Sequence, residues 1–189
     1  MNLNKLFETQ KVLRDRINYN EPDRFDKLIL ALLVEIGECA NEWRGFKFWS
    51  TDQEPRTEEL IECEGCGGSG RNHSGYCGSC HGGYVGYKNP LLEEFVDGLH
   101  FILELGIELD FENEDWVYVP WKNETITEQF MSLHLTAGEM YCDKHNGCVP
   151  DLISYYIGLG EMLGFTWEQI EQAYFEKNKI NHQRQSEGY

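Results

Sequence analysis

The sequence is poor in basic residues and has no long apolar run, and both deficits exclude classes of function. Sixteen Lys and Arg stand against 33 Asp and Glu in 189 residues, so the formal net charge is -17. Because binding to duplex nucleic acid requires a basic surface, we expect no such partner. No apolar stretch reaches the roughly 18 residues of a membrane span, and the first residues lack the basic and apolar regions of a signal peptide. We therefore expect a cytoplasmic protein with no membrane partner.

Convincing strand patterns and internal repeats are also missing, whereas helical patterns are plentiful. Apolar residues make up 41% of the chain, which is enough to form one core. Apolar spacing of i, i+3 and i+4 predicts a first helix over Leu3 to Ile17. Capping residues and apolar content predict five more, at about 23–44, 90–109, 124–143, 150–163 and from 166 onward. The pattern predicts an all-α helical bundle, with Trp116 to Val119 as one short candidate strand.

The second predicted helix is apolar over nearly its whole circumference. It contains seven consecutive apolar residues, Leu28 to Val34. A helix that is apolar on every side is typical of a protein interior. We therefore expect this helix to be buried.

Glycine is scarce in the helical segments and concentrated in one short stretch. Nine of the nineteen glycines and four of the seven cysteines lie between Ile61 and Lys88. The change in composition predicts a helical domain of residues 1–60 and 89–189, interrupted by an insert at 61–88.

The cysteines of this insert form two Cys-x-x-Cys pairs, Cys63 with Cys66 and Cys77 with Cys80. Such pairs in a reducing compartment indicate metal more often than disulfides. Four thiolates would form a tetrahedral zinc site with no open position for chemistry, so we expect one structural zinc ion in a small zinc ribbon. A redox dithiol and an empty loop are the alternatives.

Acidic pairs lie within two of the apolar helices. Glu35 and Glu38 follow the apolar run of the second helix, and Glu94 and Asp97 repeat the i, i+3 spacing in the third. A buried carboxylate must be paired or bound to metal. Four hard oxygen donors suit Mg²⁺ or Mn²⁺ better than zinc. A single such pair is usually a solvated helix face, but two pairs in apolar surroundings favour a metal site.

A basic and amide stripe follows near the end of the chain. Lys177, Asn181 and Arg184 are spaced i, i+4 and i+7, which places them on one helix face. In so acidic a chain, this stripe is suited to neutralising a polyphosphate. The alternative is a solvated C-terminal helix stabilised by the helix dipole.

These three motifs, in this order, resemble those of the dimeric all-α dUTP pyrophosphatases, which are related to the MazG-type nucleotide pyrophosphohydrolases. The similarity rests on Glu35-x-x-Glu38, on Glu94-x-x-Asp97 followed by His100, and on the segment from Lys177 to the Arg184-Gln185-x-x-Gly188-Tyr189 ending. It implies an all-α pyrophosphatase fold, a homodimer, and hydrolysis of dUTP to dUMP and pyrophosphate, with dUDP as a further candidate substrate.

The resemblance also implies roles for individual residues. Two or more Mg²⁺ ions would be held by four acids: Glu35, Glu38, Glu94 and Asp97. Either Glu35 or Glu38 would also orient and deprotonate the water that attacks the α-phosphorus. The phosphate ligands would be Lys177, Asn181, Arg184 and Tyr189, with Lys47 as a further candidate. The positions that match the surroundings of the uracil pocket are Gln10, Trp49 and His100.

Other interpretations of these residues remain open at this stage. The Gln10 amide could be satisfied by a uracil edge or by a neighbouring side chain. His100 could be a core residue, and Trp49 could fill the core instead of stacking on a base. For the whole chain, the alternatives are a MazG-type pyrophosphohydrolase of another nucleotide, and a zinc-ribbon binding protein with a helical scaffold.

Overall fold

The computed structural model describes residues 3–73, 75–111 and 118–188. Within these ranges, six helices form the body of the protein: α1 (Leu3–Ile17), α2 (Arg24–Trp43), α3 (Pro90–Glu108), α4 (Ile126–Asp143), α5 (Cys148–Met162) and α6 (Trp167–Glu187). The predicted all-α fold is confirmed. Among the described helices, none is both long enough and apolar enough to cross a membrane.

The predicted helix starts are set by local capping. The Asn89 side chain accepts a hydrogen bond from the Leu92 backbone N–H, and Pro90 occupies the first turn of α3. Thr166 and Gln169 form a capping box at the start of α6. Helix α4 begins later than predicted because Thr125, not Glu124, is the capping residue.

Helix α3 lies at the centre of the bundle. It packs against α1, α2, α5 and α6, while α4 packs against α2 and α5. The Tyr156 ring of α5 stacks on Phe95 of α3 with centroids 4.5 Å apart, and its hydroxyl donates to the Phe95 carbonyl at 2.7 Å. The central position of α3 brings its polar residues against α1, α2 and α6.

The prediction that α2 is buried on every side is wrong for the single chain. Ile29, Leu32 and Ile36 are buried, but Leu30 is 63% exposed and Val34 is 47% exposed. Helix α2 packs against α3 and α4, so the neighbouring helices do not surround it. An apolar row therefore remains on its outer face.

The described strands lie in the insert and in the two residues before it. Strand β1 (Glu59–Glu62) pairs antiparallel with β4 (Tyr84–Lys88), and β2 (Arg71–Asn72) pairs with β3 (Gly75–Tyr76). All four residues of β1 are exposed, so it lacks the alternating apolar pattern by which a strand is predicted.

The candidate strand at Trp116 to Val119 falls partly on residues without a description. Trp116 and Val117 lie outside the described residues. Tyr118 and Val119 are described, and neither is part of a strand.

We predict that Gly98 is required for the packing of α5 on α3. A Cβ atom at Gly98 would lie 2.1 Å from the Tyr156 hydroxyl oxygen. Gly98→Ala should therefore destabilise the fold by about 1–3 kcal/mol through overpacking. Urea unfolding followed by circular dichroism measures the change.

Gly138 in α4 provides the matched control. A Cβ atom there meets nothing within 4 Å, so Gly138→Ala should raise stability by about 0.5–1 kcal/mol through helix propensity. Equal stability changes in the two variants would contradict the close approach at Gly98.

Candidate active site

A cleft of about 490 Å³ opens among α1, α2, α3 and α6. Its wall combines acidic, basic and amide side chains with apolar ones. Seven residues singled out in the sequence line it: Gln10, Glu35, Asp97, His100, Lys177, Asn181 and Arg184. The fold thus brings most of the predicted site residues of three separate motifs to one cavity.

The two acidic pairs meet where α2 packs against α3. Glu35, Glu38 and Glu94 each offer a carboxylate oxygen, and these three atoms lie within 4.8 Å of one another. The i, i+3 spacing on each helix turns both acids of a pair toward the other helix. The three carboxylates form a group that could hold a metal ion.

Asp97, the fourth predicted acid, pairs with a base instead. Its Oδ2 atom accepts a hydrogen bond from Lys177 Nζ at 2.5 Å. This contact ties α3 to α6 and places the first residue of the basic stripe beside the acids. Asp97 nevertheless belongs to the same electrostatic neighbourhood, because its charge raises the pKa values of both Glu35 and Glu94.

The close approach of these acids raises the pKa values of two of them. Burial, followed by the charges of Asp97 and Glu38, raises the pKa of Glu35 to about 7. The same causes, in the same order, raise the pKa of Glu94 to about 7. Lys177 opposes the shift at both carboxyls. The raised pKa values show that the ionised form of these carboxyls is destabilised by burial and mutual repulsion. A bound cation would relieve this repulsion, so the cluster is suited to a cation.

The basic stripe predicted on the last helix is confirmed as one face of α6. Lys177, Asn181 and Arg184 all line the cleft. Lys177 is partly buried, whereas Arg184 is exposed. Acids from two helices and cations from a third therefore border the same space.

Gln10 and His100 lie at another part of the cleft and contact each other. Gln10 Oε1 is 2.9 Å from His100 Nδ1 and accepts a hydrogen bond from the Tyr174 hydroxyl at 2.9 Å. The His100 ring stacks on Tyr174 with centroids 4.1 Å apart. Burial lowers the pKa of His100 to about 3, so the ring is neutral at pH 7. Neighbouring side chains thus already satisfy the Gln10 amide.

Sequence reasoning missed a buried ion-pair network beside Gln10. Glu104 of α3 contacts Arg24 of α2 and, at 3.6 Å, Arg14 of α1. Both Arg24 and Glu104 line the cleft. The position of Glu104 is a usable signal, since it falls seven residues after Asp97 and so lies two turns along the same face of α3.

Four predicted residues are not among those that line this cleft, and a fifth lies outside the described residues. Two of the four, Glu38 and Glu94, lie beside Glu35 in the acidic cluster. Trp49 and Lys47 occupy the segment after α2, where Trp49 is 66% exposed and contacts Phe46 and Phe48 edge to face. Tyr189 is not among the described residues.

The four cysteines of the insert converge as predicted. One sulfur atom from each of Cys63, Cys66, Cys77 and Cys80 lies within 4.8 Å of the others. The Sγ–Sγ distances are 3.9 Å for Cys63 and Cys77, and 3.6 Å for Cys66 and Cys80. Four sulfurs about 2.3 Å from a central zinc would be about 3.8 Å apart, whereas a disulfide requires about 2 Å. The cluster could therefore bind a metal such as zinc.

Close backbone packing supports this arrangement of the insert. Gly83 has φ +105°, and a Cβ atom there would lie 2.1 Å from the Gly68 carbonyl oxygen. Only glycine fits both the conformation and the space. The two cysteine-bearing turns therefore approach each other more closely than side chains would permit.

The helical fold and the acidic cleft are consistent with an all-α pyrophosphatase of MazG-like type, and comparison with known proteins identifies the family. The family model described as dUTPase matches residues 2–64 and 86–189. This chain belongs to the dUTPase family, and it is a dUTP diphosphatase. Residues 65–85, which include Cys66, Cys77 and Cys80, fall outside the match. No curated protein and no solved structure matches the chain.

Proposed function

We propose that this protein is a Mg²⁺-dependent enzyme that hydrolyses dUTP to dUMP and pyrophosphate through attack of water on the α-phosphorus. The observation that carries the proposal is the acidic cluster of Glu35, Glu38 and Glu94 beside the basic face of α6. This arrangement pairs ligands for a divalent cation with partners for a polyphosphate. Membership of the dUTPase family supports dUTP as the substrate, and dUDP remains a candidate second substrate.

The donor set of the acidic cluster fits Mg²⁺. Carboxylate oxygens are its preferred protein ligands, and the raised pKa values of Glu35 and Glu94 reflect a local excess of negative charge. In this proposal, two or more ions are held by Glu35, Glu38, Glu94 and Asp97. When bound, Mg²⁺ supplies positive charge to the phosphates and increases the acidity of the attacking water.

The side chains of the protein would activate the water and bind the phosphates. Glu35 or Glu38 would orient the water and accept its proton. Lys177, Asn181 and Arg184 would bind and neutralise the phosphates, with Tyr189 and Lys47 as further ligands. Lys177 contacts Asp97, so it is placed to exchange this partner for a phosphate oxygen.

Gln10, His100 and Trp49 would form the surroundings of the uracil ring. Gln10 and His100 lie together in the cleft, and the neutral His100 ring stacks on Tyr174. Trp49 and Lys47 lie outside the cleft lining of their own chain. To contact the substrate, they would need either a movement of their segment toward the cleft or a position in the cleft of a second copy.

A homodimer is part of this proposal. Leu30 and Val34 form an exposed apolar row at i and i+4 on α2, and Glu38 continues that row by one further turn. A second copy that covered the row would also border the acidic cluster. This continuity supports the homodimer that the resemblance implies, with groups of both subunits bordering each site.

The insert at residues 61–88 is proposed to be a separate structural unit that holds one zinc ion. Its thiol cluster has tetrahedral spacing, and the family match omits most of it. None of the four cysteines is among the residues that line the cleft. The helical domain, residues 1–60 and 89–189, would therefore carry the catalytic machinery without it.

We predict that loss of a metal ligand stops turnover without unfolding the helices. Glu38→Ala or Asp97→Ala should lower kcat by more than about a hundredfold, because each variant removes a carboxylate that positions Mg²⁺. Pyrophosphate release measures the rate, and circular dichroism checks the fold.

Glu93→Ala is the matched control. Glu93 is an exposed acid of α3, the helix that carries Asp97, and it lies next to Glu94. It should retain wild-type activity. Turnover within tenfold of wild type in either ligand variant would refute the proposed metal site.

We predict strong selectivity for the uracil base. A pocket of fixed polar groups leaves some of them unpaired with the wrong base, so kcat/KM should be far higher for dUTP than for dTTP or dATP. Pyrophosphate release from each deoxynucleoside triphosphate tests this. Comparable rates on all of them would favour a promiscuous MazG-type hydrolase.

We predict one zinc ion per chain, bound at the insert and not needed for turnover. Cys63→Ser with Cys66→Ser should abolish zinc binding and unfold the insert, because so short a segment depends on metal for its folding energy. Elemental analysis of protein purified under reducing conditions gives the zinc content.

Cys142→Ser, at an exposed cysteine outside the cluster, is the control and should keep the zinc. Zinc-free wild-type protein would refute the site. Loss of hydrolysis in a folded double variant would show that the insert helps to build the active site.

A further inference from the structure

A buried carboxylate lies directly behind Gln10, and the mechanism above does not use it. Glu104 Oε1 accepts a hydrogen bond from Arg24, and Arg14 Nη1 lies 3.6 Å from the same oxygen. The second oxygen, Oε2, accepts a hydrogen bond from Gln10 Nε2 at 2.9 Å. Two guanidinium groups thus compensate this buried carboxylate.

This contact decides the orientation of the Gln10 amide. The two ends of a carboxamide have the same shape, but one donates hydrogen bonds and the other accepts them. An ionised carboxylate can only accept, so Glu104 selects the NH₂ end. The carbonyl end of Gln10 must then face Tyr174 and His100. The reversed amide would set two acceptors against each other in a buried site, which is costly.

The orientation of the amide in turn decides which nitrogen of His100 carries the proton. Gln10 Oε1 can only accept, so His100 Nδ1 must donate across the 2.9 Å contact. In a neutral ring, Nε2 then bears a lone pair. His100 is only 6% exposed, and its Nε2 atom is buried with no hydrogen-bond partner among the described residues. His100 lines the cleft and no described side chain satisfies this acceptor, so a ligand N–H group that reaches Nε2 would pair with it.

We infer that Glu104 is a positioning residue for base selection, which orients the Gln10 amide and thereby makes His100 Nε2 a hydrogen-bond acceptor. The inference rests on the proposed function, in that the base must bind beside His100. Uracil carries a hydrogen on N3, whereas N3 of cytosine is itself an acceptor. The buried chain from Arg24 through Glu104 and Gln10 to His100 therefore favours dUTP over dCTP.

Glu104→Gln tests this chain of contacts. The substituted amide would turn its oxygen toward Arg24 and its NH₂ toward Gln10, so the Gln10 amide would reverse and His100 would take the Nε2–H form. We expect the ratio of kcat/KM for dUTP to that for dCTP to fall by about tenfold or more, mainly through KM for dUTP. Nitrogen chemical shifts of ¹⁵N-histidine-labelled protein report the protonated ring nitrogen, with the His100 signals assigned by their loss in His100→Asn.

Glu108→Gln is the matched control. Glu108 contacts the same two arginines, with Arg14 Nη2 at 2.6 Å and Arg24 Nε at 3.5 Å from Oε2, but it makes no hydrogen bond to Gln10 in the described structure. This variant removes the same charge from the same network. It should keep both the wild-type His100 signals and the wild-type dUTP to dCTP ratio.

Three results would overturn the inference. One is a wild-type His100 protonated at Nε2, which would be decisive even if Glu104→Gln failed to fold. Another is a folded Glu104→Gln protein with unchanged His100 signals and an unchanged nucleotide ratio. A third is the same change in both variants, which would show a general effect of charge.

Failure of the proposed function would look different. The wild-type protein would then show the Nδ1–H form of His100 but no preference among bases. That result would overturn base selection by Glu104 together with the proposed uracil pocket, while the orientation of Gln10 would stand.

Discussion

The structure depends on how the acids of α3 are compensated for their removal from water. Glu104 and Glu108 pair with Arg14 and Arg24, and Asp97 pairs with Lys177. Glu94 lies instead beside Glu35 and Glu38, and these three form no ion pair with a base within the described residues. Because buried charge must be balanced, one end of α3 is satisfied by the protein itself, whereas the acids at the other end are suited to an added cation.

In the proposed function, one face of α3 serves both metal and base. The i, i+3 and i+7 spacing of Asp97, His100 and Glu104 places on that face the proposed metal ligand, the proposed base ligand and the carboxylate proposed to orient the base site. The insert offers a different kind of metal ligand, since soft thiolates favour zinc while hard carboxylates favour magnesium. Two metals could therefore occupy one chain without competing for ligands.

Several features of the site were predictable because they are local. The Glu35 and Glu38 pair, the Cys-x-x-Cys spacing and the α6 stripe each follow from residues within two helical turns or one short loop. The Glu104 and Arg24 pair was not predictable, since the two residues lie 80 positions apart and nothing in the sequence matches one to the other. The exposure of Leu30 and Val34 was mispredicted because an apolar residue does not reveal whether a neighbouring helix covers it.

The six helices, the acidic and basic motifs and the four cysteines of the insert follow from the amino-acid sequence, because periodicity, capping and ligand spacing act between residues close in the chain. The packing of the helices, in contrast, sets which acids meet, the contact of Lys177 with Asp97, and the position of Trp49 outside the cleft lining. It also sets the orientation of Gln10, through contacts to α3 and α6 that are 90 or more positions distant. Such contacts depend on how whole helices pack, and helix packing is set by the complete core and not by any one motif.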